Sequence, residues 1–324
     1  MVCYDAYKNL YVECHQTGAS IAPCCVTKPI KVEKINFVKD AFLQDVRQQF
    51  DQRQWPASCG YCKKIEDSGG ASRRQGSNQW FQDNGLDNTT VEFVRLDYWV
   101  GDLCNLACAI CGPAYSSVWK QQLQIPIEQR KTVVNDFWKD LDLDQLRYVH
   151  FNGGEPLLNR EHVRFLQALP NKSQTVINYN TNGTVRPSEE LKSLWLEFKL
   201  VEVVFSIDDI GARFEYQRWP AKWDQVQDNL QWYIDQGNHN SMYAVNTTVS
   251  WLNNHNLPQL DQWLEKNFAC TRFTDPIAHR KQPVNGPLAL TNHISSVMQY
   301  LDRIDTLRGT DWRSVFPELQ AHKL

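Results

Sequence analysis

The chain has 324 residues, and its 34 Lys and Arg against 37 Asp and Glu give a net charge of −3. This balance argues against a protein whose main task is to coat nucleic acid, although it leaves open a nucleic-acid substrate held at a local patch. There is no run of 18 apolar residues and no basic region followed by an apolar stretch at the start, so we expect a cytoplasmic protein with no signal peptide and no membrane partner.

The first 90 residues are predicted to be largely irregular, with glycine-bearing turns and paired cysteines. One helix is expected around residues 40–50, and the glycine- and serine-rich stretch at 68–74 indicates a loop or a boundary. Nine of the ten cysteines lie within the first 111 residues. Because the cytosol keeps thiols reduced, this clustering indicates metal binding or redox chemistry rather than disulfides. Cys270 is expected to be a buried structural residue.

From about residue 91 the pattern changes to strands that alternate with helices. Strands are predicted at 91–98, 146–151, 175–180, 201–207, 243–249 and 270–274, and helices at 160–169, 223–236 and 257–267. Such alternation predicts an α/β protein with a parallel sheet and helices outside it. Six units are fewer than the eight of a full barrel, so a partial barrel or an open sheet is expected. One or two helices are predicted after residue 287.

The motif that indicates the functional class of the protein follows the first of these strands. Cys104, Cys108 and Cys111 have the spacing C-x3-C-x2-C, and no fourth cysteine follows them closely. Three thiolates can hold three irons of a cubane cluster and leave one iron with an open position. An electron-transfer cluster would be closed by a fourth cysteine. A zinc site is the alternative that the spacing alone leaves open.

With the Gly-Gly-Glu-Pro tract at 153–156, this motif resembles the radical S-adenosylmethionine (SAM) superfamily. The resemblance implies a partial (β/α)6 barrel in which the open iron of a 4Fe-4S cluster chelates SAM. Electron transfer then yields a 5′-deoxyadenosyl radical that takes hydrogen from a substrate. It makes Cys104, Cys108 and Cys111 the catalytic cluster ligands. It also implies the following cofactor-binding residues: Gly153, Gly154, Glu155, Asn182, Ser206, Asp208, Arg218 and Asn246. By position, Asp208 or Asp209 is also a candidate general base.

The N-terminal cysteines suggest a second cluster. Cys59 and Cys62 form a C-x2-C pair, preceded by Cys3 and by adjacent cysteines at 24 and 25. This order resembles the auxiliary modules called SPASM and twitch, and the resemblance implies a second 4Fe-4S cluster on Cys3, Cys24, Cys59 and Cys62. The choice between Cys24 and Cys25 stays open, Cys14 has no assigned partner, and a structural zinc is the rival interpretation.

The resulting prediction is a radical SAM oxidoreductase or transferase in three parts. An auxiliary iron–sulfur module spans 1–90, the partial barrel 91–285 and a C-terminal helical extension 286–324. The expected reductant is of the flavodoxin or ferredoxin type, and the expected substrate is a peptide or protein side chain. The alternatives are an enzyme that modifies tRNA or a nucleotide and a zinc-binding adaptor without enzymatic activity. A nucleic-acid partner is disfavoured by the net charge but stays open.

Overall fold

One nine-stranded sheet organises the computed structural model, which describes residues 1–14, 18–125, 136–236, 239–268, 279–283 and 286–323. The strands are β1 (Asn9–Cys14), β2 (Ala19–Ala22), β3 (Ile30–Val32), β4 (Arg95–Trp99), β5 (Tyr148–Asn152), β6 (Val176–Thr181), β7 (Leu200–Ser206), β8 (Ser241–Val249) and β9 (His279–Pro283). Their order across the sheet is β3-β2-β1-β4-β5-β6-β7-β8-β9. Neighbours from β1 through β4 to β9 are parallel, whereas β2 and β3 add antiparallel pairs at one edge.

Helices connect the strands and cover one face of the sheet. They are α1 (Asp5–Lys8), α2 (Ala41–Asp51), α3 (Gly60–Asp67), α4 (Arg73–Asp83), α5 (Ser117–Gln122), α6 (Glu161–Ala168), α7 (Glu189–Trp195), α8 (Gly211–Gln217), α9 (Trp223–Gln236), α10 (Leu257–Phe268), α11 (Ile294–Arg308) and α12 (Trp312–Val315). Parallel strands need such crossover connections, which explains the α/β alternation. None of the helices in the described ranges is long and apolar enough to cross a membrane.

The two faces of the central strands carry different side chains because successive residues of a strand point to opposite sides. On the helix-covered side, Tyr98 and Phe151 pack with Phe137 and Phe165 in a cluster of aromatic rings. On the other side, the register brings polar residues into rows, with Asp97 opposite His150. The concave inner face of the sheet is therefore polar.

The predicted fold class is confirmed: the chain is an α/β protein whose parallel sheet forms a partial barrel. The strands predicted from 91–98 to 243–249 correspond to β4–β8. The sixth predicted strand at 270–274 and Cys270 lie outside the described residues. The helix predicted around 40–50 is α2, and those predicted at 160–169, 223–236 and 257–267 are α6, α9 and α10.

The N-terminal part is more regular than predicted. It contains β1–β3 and α1–α4, and β1 pairs in parallel with β4, placing the N-terminal strands in the sheet of the barrel. In β1, Leu10 and Val12 are fully buried on the helix-covered side, while Asn9 and Tyr11 lie opposite Arg95 and Asp97 of β4. Sheet pairing consequently holds the strands on either side of Cys24 against the barrel.

Candidate active site

The loop at 104–111 follows β4, and hydrogen bonds from its backbone attach it to a neighbouring segment. The Ala107 amide donates to the Trp219 carbonyl at 2.7 Å, and the Ala109 amide donates to the Gln217 carbonyl at 2.7 Å. These bonds attach the alternate residues of the loop to the end of α8. The positions of the three cysteines are therefore set by a neighbouring element and not by the loop alone.

The C-terminal helix α11 holds the same loop from the other side. The Arg308 guanidinium donates to the Ala107 carbonyl and lies 4.9 Å from the ring centre of Trp119, a cation–π distance. The Tyr300 hydroxyl donates to the Ala109 carbonyl at 2.8 Å. The 286–324 extension thus helps to position the cysteine loop.

One cation, the guanidinium of Arg218, acts electrostatically on all three thiols of this loop. Burial raises the pKa of Cys104 to about 11 and of Cys108 to about 12, and it also raises the pKa of Cys111. The charge of Arg218 opposes this rise at all three thiols. The Leu106 amide points at the Cys104 sulfur at 3.4 Å. A metal cluster that deprotonates these thiols would find a cation and a backbone donor already directed at them.

The three thiols of the loop match the ligand set of a cubane cluster with one open iron. In a cubane cluster each thiolate binds a different iron, so the sulfurs surround a volume instead of meeting at one point.

The two glycines of the Gly-Gly-Glu-Pro turn allow the turn to pack against the start of the cysteine loop. A Cβ on Gly154 would lie 2.3 Å from the Leu103 carbonyl oxygen, and one on Gly153 would lie 2.5 Å from the Gly101 carbonyl oxygen. The Gly154 amide donates to that Gly101 oxygen at 2.7 Å. Gly153 also has a φ of +138°, which side chains rarely adopt. Both positions therefore require glycine, because neighbouring backbone of the same chain leaves no room for a Cβ.

Glu155 is fully buried and already has partners. Its carboxylate accepts hydrogen bonds from the Leu157 amide at 3.1 Å, the Thr181 hydroxyl at 2.9 Å and the Asn182 amide at 2.7 Å. Burial raises its pKa to about 7 despite these donors. Glu155 therefore joins the end of β5 to the end of β6, and its predicted contact with SAM stays a prediction.

Asn182 reaches the cysteine loop through a residue that the sequence analysis missed. Its side-chain amide donates to the Asn105 side-chain oxygen at 2.9 Å, and the Asn105 amide donates to the Thr184 hydroxyl at 2.8 Å. Asn105 lies directly after Cys104. A polar side chain between the cysteines of a buried loop was the signal from which the sequence analysis could have identified this residue. Asn182 thus lies at the predicted site, and its side chain is already hydrogen-bonded to Asn105.

Arg218 and Asp208 form a buried ion pair of 2.8 Å next to the cysteine loop. Asp208 also accepts a hydrogen bond from the Thr248 amide at 2.8 Å. The Nε of Arg218 is buried and has no hydrogen-bond partner among the residues that the structure describes. A buried guanidinium with a free donor is suited to a carboxylate ligand, since leaving that donor unpaired is costly.

Ser206 and Asn246 are brought together at the ends of β7 and β8. They are register partners on neighbouring strands. The side-chain oxygen of Asn246 is buried and, within the described ranges, accepts no hydrogen bond. It therefore offers an acceptor at the same rim as Arg218.

The other candidate carboxylate, Asp209, is fully buried in a structural network. It accepts hydrogen bonds from the Arg213 guanidinium and the Gln217 amide, each at 3.1 Å, and from the Asn256 amide. Arg213 in turn bonds Glu318 near the C-terminus at 2.5 Å. These contacts leave Asp209 poorly placed to act as a general base.

A second group of cysteines lines one cavity at the N-terminal part. The cavity is small and partly open to solvent. Its lining includes Cys3, Cys24, Cys59 and Cys62, which come from three segments of the chain, together with Arg73 and Arg74. Cys25 is not among the lining residues, and Cys14 lines a different cavity.

Two arginines are anchored against this cavity by carboxylates. Arg74 makes a two-pronged contact with Glu66, at 2.9 Å from Nε and 2.5 Å from Nη2. Arg73 lies 2.8 Å from Asp97 and 3.5 Å from Asp5. Such fixed guanidinium groups can offset the negative charge of thiolates that hold a metal cluster.

Comparison with known proteins gives two sequence matches. Residues 92–194 match the model of a 4Fe-4S single cluster domain. A stretch of 129 residues, 39% of this chain, is 30% identical to GTP 3′,8-cyclase of Alkaliphilus oremlandii (strain OhILAs) and covers 38% of that protein. Together with the cysteine motif, these findings support the predicted resemblance to radical SAM proteins.

Some solved structures have a distant likeness to this chain. Streptococcus suis SuiB aligns with 93% of this chain and 68% of its own, at 11% identity and a TM-score of 0.43. The native anSMEcpe with bound AdoMet aligns with 67% of this chain and 62% of its own, at 16% identity and a TM-score of 0.44. At these scores the structural likeness carries no argument about the site. The match to a 4Fe-4S single cluster domain includes Cys104, Cys108 and Cys111, the predicted cluster ligands.

Substitution of Gly154 tests the packing beneath the cysteine loop. A Gly154→Ala change places a methyl group within 2.3 Å of the Leu103 carbonyl, so the loop must shift. We expect the iron bound per chain and the urea midpoint of unfolding both to fall. Gly112→Ala, also next to a cysteine but with nothing within 4 Å of the added Cβ, is the matched control. Equal iron content and equal midpoints in the two variants would contradict this role of Gly154.

Proposed function

We propose that this protein is a radical SAM enzyme whose catalytic cluster is held by Cys104, Cys108 and Cys111. The observation that carries the proposal is the position of Arg218, which acts on all three thiols and keeps a buried donor unpaired beside them. When bound, the cluster supplies the electron that cleaves SAM to the 5′-deoxyadenosyl radical, which then takes a hydrogen atom from the substrate.

Residues at the rim of the barrel have separate tasks in this proposal. Arg218 would bind the carboxylate of SAM through its free Nε, with Asp208 keeping the guanidinium in place. Asn246 and Ser206 would contact the adenosine end, at the ends of β7 and β8. The turn at 153–156 and Asn182 would act mainly by positioning the cysteine loop and the end of β6.

An auxiliary 4Fe-4S cluster on Cys3, Cys24, Cys59 and Cys62 is the second part of the proposal. Four thiols around one cavity match the closed ligand set of an electron-transfer cluster. A structural zinc would require its ligands to meet at about 2.3 Å from one point. Metal analysis of the purified protein distinguishes a zinc ion from a cluster at this site.

The proposed substrate is a peptide or protein side chain, with a flavodoxin- or ferredoxin-type protein as the reductant. The net charge of −3 gives little general attraction to polyanionic RNA. A second cluster next to the barrel could accept an electron from a substrate radical, which suits an overall oxidation of the substrate.

A nucleotide substrate is the second candidate, because of the match to a GTP 3′,8-cyclase. The match covers 129 residues, which is 38% of that protein, so the chain is similar to only part of it. The two candidates differ in which molecules donate the hydrogen atom.

The cluster assignments predict distinct iron contents. The protein reconstituted without oxygen should hold about eight irons per chain if both sites carry 4Fe-4S clusters, and the C104A/C108A/C111A variant about four. That variant should form no 5′-deoxyadenosine from SAM with dithionite. The matched C3A/C24A/C59A/C62A variant should also hold about four irons and still cleave SAM. Cleavage at the parent rate by the first variant would contradict the catalytic assignment, and a parent with about one zinc and about four irons would favour zinc at the second site.

The substrate class can be identified by deuterium transfer into 5′-deoxyadenosine. Cells of the source organism grown in D2O are separated into peptide and protein, nucleic-acid and small-nucleotide fractions. Each fraction is incubated with the reduced protein and unlabelled SAM, and 5′-deoxyadenosine is analysed by mass spectrometry. We expect deuterium with the peptide and protein fraction. Deuterium only with the nucleic-acid or nucleotide fraction would replace the peptide proposal by the second candidate.

A further inference from the structure

Glu202 is a half-buried carboxylate on the inner face of the barrel that has no cation of its own. Its Oε2 accepts hydrogen bonds from the Tyr148 hydroxyl at 3.0 Å and from the Asn178 side-chain amide at 2.9 Å. Within the described ranges, its Oε1 accepts no hydrogen bond, and no Lys, Arg or His forms an ion pair with the carboxylate. The side chains of β5 and β6 therefore hold one oxygen of Glu202 and leave the other available.

The charged groups nearest to this carboxylate are engaged elsewhere. Asp97 on the same face pairs with Arg73 at 2.8 Å. Arg95 lies over the ring of Tyr148, 4.8 Å from its centre, and makes no ion pair with Glu202. A half-buried charge without a partner costs free energy unless something compensates it. Glu202 therefore indicates a ligand that brings a positive charge to the inner face of the barrel.

Met242 provides an apolar surface beside this carboxylate. It is the register partner of Glu202 on β8, so both side chains face the same side of the sheet. Met242 is 38% exposed, although methionine is among the residues that are most often buried. The next pair on this face is formed by Val204 and Ala244, which are also apolar. An apolar strip that ends at a carboxylate is complementary to a side chain with an apolar stem and a charged end, as in lysine and arginine.

The rim of the barrel, where we propose that SAM binds, lies four residues further along β7. Ser206 and Asn246 form the register pair there. At about 3.3 Å per residue of a parallel strand, Ser206 lies about 13 Å from Glu202 along the strand. A long basic side chain bound at Glu202 would therefore extend toward the rim and bring its stem or backbone carbons close to the site of the radical.

We propose that Glu202 determines substrate specificity by binding an ammonium or guanidinium group of a peptide side chain at the inner face of the barrel. This rests on the proposed function and names the kind of side chain that it acts on. Tyr148 and Asn178 orient the carboxylate through Oε2, and the cation binds Oε1. Met242 packs against the stem of the bound side chain. Glu202 acts by binding alone, so no bond is formed or broken at its carboxylate.

Guanine is the competing ligand for a carboxylate in this position. Its N–H groups can donate two hydrogen bonds to one carboxylate, and a guanine nucleotide would belong to the second candidate function. The observations favour the cation because a neutral base would leave the charge of Glu202 uncompensated. The apolar strip formed with Met242 also matches a flexible stem.

The test measures the binding of small probes to the reconstituted protein with SAM bound. The probes are N-acetyl-arginine amide, its neutral isostere N-acetyl-citrulline amide, and guanosine, and their dissociation constants are measured by ligand-observed NMR. We expect the arginine probe to bind at least about tenfold more tightly than the citrulline probe, as a hydrogen bond between charged groups would give.

Two pairs of variants locate this preference. E202Q keeps an oxygen that can accept from Tyr148 and Asn178 but removes the charge, so it should bind both amino-acid probes about equally. E13Q is the matched control, because Glu13 on β1 is also half-buried, accepts from a tyrosine hydroxyl at 2.6 Å and forms no ion pair in the described part of the chain. It changes the net charge by the same amount and should keep the preference. M242K, which places an ammonium beside Glu202, should abolish binding of the arginine probe, whereas M242L should retain it.

Equal binding of the two amino-acid probes by the parent protein, or no binding of either, would overturn the inference. So would a preference that E202Q retains or that E13Q removes. Binding of guanosine that requires Glu202, without binding of the arginine probe, would overturn it in favour of a nucleotide at the same carboxylate. Failure of the proposed function looks different, because the parent protein would then form no 5′-deoxyadenosine from SAM with dithionite, whichever probes it binds.

Discussion

The buried carboxylate of Asp97 is the constraint on which the arrangement of this protein depends. A fully buried charge is tolerated only when it is paired and hydrogen-bonded, and Asp97 obtains its cation from Arg73 of the N-terminal part. Removing either partner would leave the other charge uncompensated. The pairing of β1 with β4 joins the same two parts of the chain. The N-terminal part and the barrel are therefore joined both by a sheet and by a buried ion pair.

The same principle governs the cysteine loop at 104–111. A loop that carries three buried thiols has little regular structure of its own, so its backbone groups are satisfied by neighbours: the end of α8, the turn at 153–156 and the helix α11. The proposed cluster ligands are thus positioned by elements spread along the chain. Their thiols are neutral when free because of burial, and a bound cluster would supply the charge that holds them as thiolates.

The fold of the barrel could be predicted from the sequence because its strands β4–β8 alternate with amphipathic helices. The N-terminal strands were missed because the surrounding cysteines and glycines indicated irregular structure. The spacing of Cys104, Cys108 and Cys111 predicted the class of the site, a cluster with one open iron. The contact between Asp97 and His150 depends on strand register, and the choice of Cys24 over Cys25 depends on how one turn faces a cavity. Neither can be obtained from residue types alone.

In the proposed function, the cluster of Cys104, Cys108 and Cys111 has an open iron that binds SAM. EPR spectra of the reduced, reconstituted protein with and without SAM test this most directly. We expect two reduced-cluster signals, of which one changes on addition of SAM and is missing from the C104A/C108A/C111A variant. Spectra that do not respond to SAM, or a response that persists in that variant, would contradict it.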